Sequence, residues 1–158
     1  MSDDEIAAAN RALATASPVN VLRWAVETFH PRLLMATAFG AEGCCLIDML
    51  AGIEPGVRII NIDTGYQFPE TLALRERIKD KYGIAVEYVR AEQTVAEYEA
   101  EHGGPLYELR SDQCCHDRKI EPLRRAVEDI RPLAWVSAIR KDQTADRGRA
   151  DVVEWDKK

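Results

Sequence analysis

The chain has 158 residues, of which 21 are Lys or Arg and 27 are Asp or Glu, so its formal net charge is −6. With 46% hydrophobic and 30% charged residues, the composition is near the globular average and excludes a disordered tail, a collagen and a disulfide-rich miniprotein. The acidic balance argues against a general nucleic-acid coat, and the apolar runs are too short to span a bilayer. We therefore expect one domain over residues 1–158, with no nucleic-acid or membrane partner.

Two helices are predicted before the first strand. Ser2 and Glu5 have the spacing of a capping box, which predicts a leading helix within residues 1–16. Ser17 followed by Pro18 repeats the start signal, and an apolar stripe then runs to Phe29. The first residues are acidic and no apolar run follows them, so we expect no signal peptide and a cytoplasmic location.

The middle of the chain alternates between strands and helices. Apolar runs at residues 33–38, 57–62 and 84–89 predict three strands, and helical spacing between them predicts a helix from about Cys44 and another from Pro69 to Gly83. This alternation indicates an α/β fold with a parallel sheet flanked by helices.

The last third of the chain is predicted to hold three short helices and two strands. The helical patterns cover residues 95–101, 112–118 and 122–130, and a fourth strand is expected at residues 133–137. After a basic loop, residues 151–155 predict one more strand.

The candidate chemistry lies in the loops that follow the strands, because ligands of open α/β sheets bind beyond the carboxyl ends of parallel strands. Residues 37–43 place glycine and small side chains before a helix, which suits an anion, although an ordinary tight turn remains an alternative. Residues 61–70 present Asp63 at a strand end, and a plain turn is again the alternative. Residues 140–149 contain Arg140 and Arg147, whose guanidinium groups suit sulfate or phosphate oxygens.

The four cysteines form two adjacent pairs. Cys114 and Cys115 lie beside basic residues, which would lower their pKa values and favour thiolates that bind soft metals or iron–sulfur clusters; a pair of inert thiols is the alternative. Cys44 and Cys45 fall among apolar residues of a helix, so we interpret them as core residues.

Four segments taken together resemble one family, the adenylyl sulfate (APS) and phosphoadenylyl sulfate (PAPS) reductases of assimilatory sulfate reduction. The segments are AFGAEG at residues 38–43, NIDTG with FPET at residues 61–71, the cysteine pair with Arg118 and Lys119, and RKDQ at residues 140–143 with Arg147. Their order and spacing match as well, and four motifs in register are far more specific than one.

The resemblance implies an adenine-nucleotide α-hydrolase-like fold related to ATP pyrophosphatases. It implies that Cys114 and Cys115 supply two of the four ligands to a [4Fe–4S] cluster, and that Lys119 lies between cluster and substrate. Because PAPS-using members generally lack the pair, the resemblance favours APS. The substrate-binding residues it implies are Thr37, Ala38, Phe39, Gly40, Glu42, Asp63, Thr64, Gly65, Lys119, Arg140 and Arg147.

The resemblance also implies a reaction and partners. A cysteine thiolate attacks the sulfuryl sulfur, AMP leaves, and thioredoxin or glutaredoxin releases sulfite from an S-sulfocysteine. In the family, the attacking cysteine lies in a C-terminal Glu-Cys-Gly segment. The other two cluster ligands form a Cys-x-x-Cys segment, which is also C-terminal. The 158 residues of this sequence contain neither segment.

The position of the attacking cysteine is therefore expected to lie beyond Lys158, the last residue of the sequence. We expect no catalytic residue within this chain and interpret it as a C-terminally truncated member of the family, with a homo-oligomer left open. The alternatives are a PAPS reductase and a nucleotide-binding module without catalysis.

Overall fold

The computed structural model describes residues 1–145 and 147–156. Helices and strands alternate through most of this length. In chain order they are α1 (Asp3–Leu13), α2 (Pro18–Phe29), β1 (Leu33–Thr37), α3 (Ala41–Ile53), β2 (Arg58–Asp63), α4 (Pro69–Tyr82), β3 (Val86–Arg90), α5 (Val95–His102), α6 (Leu106–Leu109), α7 (Ser111–Cys115), a π-helical turn (His116–Ile120), α8 (Glu121–Ile130), β4 (Ala134–Val136) and a 3-10 turn (Arg147–Arg149).

Local signals fix the ends of the long helices. At the start of α1 the Glu5 N–H donates to the Ser2 hydroxyl at 3.2 Å, and the Ser2 N–H donates to the Glu5 carboxylate at 2.6 Å, which completes the predicted capping box. Helix α2 begins at Pro18 after the Ser17 cap. Helix α4 ends at Gly83, whose φ of 71° is left-handed.

The sheet is parallel throughout, with the strand order β3-β2-β1-β4. Thr37 pairs with Asn61, and Asp63 pairs with Arg90, so the carboxyl ends of the three strands that carry them are neighbours. The predicted parallel sheet flanked by helices is confirmed, and the register brings the loops after β1 and β2 to the same edge.

Alternation along the strands divides the core between the two faces of the sheet. On one face Met35 and Ile59 pack with residues of α2, α3 and α4; on the other, Leu34 and Ile60 pack with Val127 and its neighbours of α8. Burial on both faces explains why the strands appear in the sequence as continuous apolar runs.

The strand predicted at residues 151–155 is absent from the described structure. The backbone N–H of Val153 donates to the Asn10 side-chain oxygen at 2.9 Å, and the Asn10 amide donates to the Val153 carbonyl at 2.7 Å. The Trp155 indole N–H donates to the Asp3 carboxylate at 2.8 Å. A side chain of α1 therefore satisfies the backbone groups that a strand would have offered to the sheet.

The end of the sequence falls outside this description. Lys158, beyond which the attacking cysteine of the family is expected, lies outside the described residues, as does the residue before it. The expectation about that cysteine therefore stays a prediction from the sequence.

The two helical segments predicted at residues 112–118 and 122–130 are one uninterrupted run. Helix α7 passes into the π-helical turn, in which the Glu121 N–H donates to the His116 carbonyl, and then into α8. Pro122 lies in the first turn of α8 and has no N–H to donate, so the bonding pattern changes close to it. In the described part of the chain, no helix combines the length and the apolar character that a membrane span requires.

Candidate functional site

The first loop turns sharply between β1 and α3. The Phe39 N–H donates to the Thr37 hydroxyl at 3.0 Å, and Phe39 adopts a left-handed φ of 58°. Its ring is buried in the core, whereas Ala38 and Gly40 on either side are exposed. The exposed backbone at Ala38 and Gly40 is therefore open to solvent, and the buried Phe39 ring anchors the loop.

Helix α3 begins at this loop with its first N–H groups uncapped by any described side chain, because Gly40 occupies the N-cap. Uncapped N–H groups at a helix start carry partial positive charge and bind anions. A Cβ on Gly43 would lie 2.7 Å from the Thr37 hydroxyl, so glycine allows the first turn of α3 to approach the end of β1. The anion-binding role of this loop stays a prediction, and the uncapped start of α3 is compatible with it.

The second loop is held by Asp63, which is buried at the end of β2. One carboxylate oxygen accepts from the Gly65 N–H at 2.9 Å, and the other accepts from Arg90 Nε at 2.8 Å. Gly65 has a left-handed φ of 82° that favours glycine. In this state Asp63 shapes the loop, with Thr64 and Gly65 forming its turn.

Asn61 of β2 links the loop after β1 to the loop after β2, and this role was not predicted from the sequence. Its side-chain amide is fully buried and donates to the Thr37 carbonyl at 2.8 Å. Its Oδ1 atom has no hydrogen-bond partner among the described residues. The sequence feature that could have revealed this role is a polar residue between Ile60 and Ile62, within the apolar run of β2. In the sheet, Asn61 pairs with Thr37.

The basic loop after β4 lies against the first turn of α3. Arg140 Nη1 lies 3.0 Å from the Glu42 carboxylate, and Gln143 Nε2 donates to the same Glu42 oxygen at 3.5 Å. Arg147 in turn donates to the Gln143 side-chain oxygen. Three of the predicted binding residues are therefore joined through Gln143, while Lys119 is exposed on the π-helical turn.

The two cysteines of the second pair have different surroundings. Cys114 is buried with Tyr98 and Leu106, whereas the next residue, Cys115, is exposed. Burial raises the pKa of the Cys114 thiol, although the positive charge of Arg118 opposes this. The lowered pKa predicted for Cys114 is therefore wrong for this state of the protein, because desolvation outweighs the neighbouring cation.

Cys114 and Cys115 provide two of the side-chain donors that a metal centre could use. The thiols of Cys114 and Cys115 are both free and have the right chemistry for a thiolate-bound cluster. Within residues 1–145 and 147–156, no group of three or more His, Cys, Asp or Glu side chains is arranged to hold a metal ion. The pair offers two thiol donors, and any site with more ligands would need further donors from outside this set.

Cys44 and Cys45 were predicted to be core residues, and this is wrong for Cys45. Cys44 is half-buried, with its sulfur 3.6 Å from the Phe39 carbonyl, and burial raises its pKa. Cys45 is exposed, because its side chain points about 100° away from that of Cys44 around the axis of α3, toward the solvent side.

A buried cation was also missed. Arg118 is only 4% exposed and donates through Nε to the Thr64 carbonyl at 2.6 Å. Arg118 belongs to the segment of the cysteine pair that resembles the family. Because arginine is almost never fully buried, nothing in the local sequence indicated that its side chain lies in the interior.

Comparison with known proteins gives consistent matches. The family described as Phosphoadenosine phosphosulfate reductase domain matches residues 32–158. Phosphoadenosine 5'-phosphosulfate reductase of Gloeobacter violaceus is 38% identical over 141 residues, which are 89% of this chain and 58% of that protein. Adenosine 5'-phosphosulfate reductase 2 of Bacillus subtilis is 36% identical over 141 residues, 89% of this chain and 59% of that protein.

The solved structures agree with the sequence comparison. The crystal structure of phosphoadenylyl-sulfate (PAPS) reductase from Candida auris, in a phosphate complex, matches with a TM-score of 0.81 and 34% identity, covering 90% of this chain and 70% of that one. The chain spans about three-fifths of the length of the curated relatives, at 58% and 59% of the two named above. By its sequence over residues 32–158 and by its fold, the chain belongs to the phosphoadenosine phosphosulfate reductase domain family.

Proposed function

We propose that this chain is the nucleotide-binding part of a cytoplasmic enzyme of assimilatory sulfate reduction, and that it binds APS. Relatives named adenosine 5'-phosphosulfate reductase, at 36% and 35% identity, support the activity. The whole reaction, from APS to sulfite and AMP, uses thioredoxin or glutaredoxin as the electron donor.

The observation that carries the proposal is the pairing of an uncapped helix start with an arginine. The first N–H groups of α3 and the guanidinium of Arg140, held 3.0 Å from Glu42 in that turn, offer positive charge to one small region. A phosphosulfate group carries its negative charge on several oxygens, which backbone N–H groups and a guanidinium bind together. The loop of Thr64 and Gly65 at the same edge of the sheet is the proposed contact for the nucleoside.

The choice of APS over PAPS depends on the cysteine pair. Cys114 and Cys115 would hold one side of a [4Fe–4S] cluster, a group associated with the APS-using members of the resembling family. When bound, such a cluster supplies a charged, polarisable centre next to the substrate. Lys119, on the same helical run, is proposed to face the region between cluster and sulfuryl group.

The proposed reaction has two steps. A cysteine thiolate attacks the sulfur of APS, so that an S–S bond forms, the sulfur–oxygen bond breaks, and AMP leaves with the electron pair. A thiolate of thioredoxin then attacks the cysteine sulfur of the S-sulfocysteine, sulfite leaves, and the second thioredoxin thiol resolves the mixed disulfide. Thioredoxin is thereby oxidised to its disulfide, and the sulfuryl group is reduced by two electrons. The attacking cysteine is assigned by resemblance to a segment that these 158 residues do not contain.

Within this chain the residues bind and orient the anion. Arg140 and the N–H groups of α3 stabilise negative charge on the sulfuryl and phosphate oxygens, which lowers repulsion toward an incoming thiolate. Thr37 and Asn61 hold the loop that presents those N–H groups.

Calorimetric titration of the 158-residue chain with AMP, APS, PAPS and ATP tests the proposal. We expect APS to bind more tightly than PAPS or ATP, and Arg140→Met to weaken APS binding by about tenfold, as loss of a charge-assisted hydrogen bond predicts. Arg124→Met, on the exposed side of α8, is the matched control. Tighter binding of PAPS would overturn the substrate assignment, and no binding of any adenine nucleotide would overturn the proposed function.

A further inference from the structure

A buried guanidinium connects the loop after β2 with the cysteine pair. Arg118 is 4% exposed, and in the described structure no carboxylate forms an ion pair with it. The adjacent acid, Asp117, is engaged elsewhere: it accepts from the Tyr98 hydroxyl at 2.8 Å and contacts the His116 ring at 3.1 Å. Burial of a charge costs free energy unless other groups compensate it. The hydrogen bonds and ring contacts of Arg118 therefore have to stabilise its guanidinium.

Those contacts reach two loops at the ligand end of the sheet. Arg118 Nε donates to the Thr64 carbonyl at 2.6 Å in the loop after β2, and Nη1 donates to the Gln93 carbonyl at 3.2 Å in the loop after β3. Both acceptors are backbone groups, and 54 and 25 residues separate them from Arg118. The side chain therefore fastens the helical run of the cysteines to two loops.

Two aromatic rings also contact the guanidinium of Arg118. Its carbon lies 5.5 Å from the Tyr66 ring centre and 5.2 Å from that of Tyr98, within the range of cation–π attraction. Tyr98 also belongs to the buried cluster of Cys114, against which Tyr66 packs. A shift of Arg118 would therefore repack the cluster that buries Cys114.

The loop side of this connection is tight. A Cβ on Gly65 would lie 2.9 Å from Arg118 Nη2 and 2.5 Å from a methyl group of Val95. The loop of Thr64 and Gly65 cannot move inward without displacing the guanidinium, because no gap separates them.

We infer that Arg118 is a positioning residue that couples the position of the loop carrying Thr64 and Gly65 to the accessibility of Cys114. When the loop shifts, the guanidinium shifts with it, and the tyrosines that cover Cys114 are repacked. The identity of the ligand that moves the loop rests on the proposed function, but the coupling itself does not.

The coupling is tested without ligand by alkylation of the reduced chain and peptide mass spectrometry of each cysteine. We expect Gly65→Ala to speed alkylation of Cys114 by about tenfold, a typical magnitude for coupling between contacting groups. In an Arg118→Lys background the same change should have a several-fold smaller effect, because lysine lacks the forked group 2.9 Å from the new methyl, whereas the left-handed φ of 82° and the contact with Val95 are the same in both backgrounds. Arg118→Lys alone should also speed alkylation, since one ammonium cannot hold both carbonyls.

Two controls distinguish the proposed coupling from a general loss of stability of the fold. Cys45, exposed on α3, should react at the same rate in all four proteins, and Arg124→Lys should leave Cys114 unchanged. Equal effects of Gly65→Ala in both backgrounds would overturn the inference. A rise at Cys45 as large as that at Cys114 would overturn it as well.

AMP provides the second arm. If AMP binds, it should slow Cys114 alkylation in the wild-type chain and leave it unchanged in Arg118→Lys, whose AMP affinity is measured in parallel by calorimetry. Bound AMP without any change at Cys114 in the wild type would overturn the inference. An absence of AMP binding would count against the proposed function, which fails only if APS, PAPS and ATP do not bind either, and the ligand-free comparison still decides the coupling.

Discussion

Arg140 and Glu42, 98 residues apart in the chain, are joined by an ion pair of 3.0 Å between Nη1 and the carboxylate. The pair fastens the basic loop after β4 to the first turn of α3. It also means that the arginine best placed for an anion already has a negative partner. Anion binding at this helix start must therefore compete with Glu42.

Glu42→Gln is expected to strengthen AMP binding by about fivefold at low salt. The substitution removes a negative charge beside the anion loop while keeping a side chain that can accept from Gln143. Titration calorimetry at two salt concentrations measures the gain, which should shrink as salt rises. Glu54→Gln at the other end of α3 is the control. Weaker binding by Glu42→Gln would mean that Glu42 orients Arg140 rather than competing with the ligand.

Gly43→Ala is expected to destabilise the chain by about 1–3 kcal/mol, the usual cost of overpacking. The new Cβ would lie 2.7 Å from the Thr37 hydroxyl, so the first turn of α3 or the end of β1 has to move, or the Thr37 side chain has to rotate and lose its hydrogen bond from the Phe39 N–H. Urea denaturation followed by circular dichroism gives the change in unfolding free energy.

Gly52→Ala is the matched control, because it lies in the same helix with nothing within 4 Å of its added Cβ. It should stabilise the chain by up to about 1 kcal/mol through helix propensity alone. Equal effects of the two substitutions would show that the approach of Gly43 to Thr37 is not tight in solution.

Sequence reasoning worked where the signal is local. The capping box of Ser2 and Glu5, the Ser17 cap before Pro18 and the Gly83 stop involve residues within a single turn of a helix, so spacing alone reveals them. The buried strands were equally clear, because a strand covered on both faces is apolar throughout.

It failed where a role depends on residues far apart in the chain. The burial of Arg118 between Tyr66 and Tyr98, and the exchange of hydrogen bonds between Asn10 and Val153, exist only once the elements have packed. Spacing predicted that the loops share one edge of the sheet, but it could not show which charges already have partners there.

Glu87→Gln is expected to reduce stability by up to about 0.5 kcal/mol near neutral pH and by nothing in acid, as exposed ion pairs contribute little. The hydrogen bond from Arg58, 2.7 Å between Nε and the carboxylate, lowers the pKa of Glu87. A carboxyl group whose folded pKa is depressed contributes stability above its unfolded pKa, and this is lost as the pH falls through the folded value. Urea titrations along a pH series measure the difference.

Arg58→Gln and the double variant complete the cycle for this pair. The double variant should lose no more stability than either single one, because each removes the same interaction. A stability loss in Glu87→Gln that persists undiminished in acid would show that the side chain acts through packing, since the ion pair is absent there.

Anaerobic reconstitution with iron and sulfide is expected to load the 158-residue chain far below the four iron atoms per chain of a complete [4Fe–4S] cluster. Cys114 and Cys115 offer two thiols, and the described residues provide no group of three donors, so any cluster formed must find further ligands. Iron and sulfide analysis with absorption spectra measures the loading. Cys115→Ser should remove whatever iron is bound, whereas Cys45→Ser, which changes an exposed thiol on α3, should not. Full stoichiometric iron in the isolated monomer would contradict the expectation, because it would require two more donors within this chain.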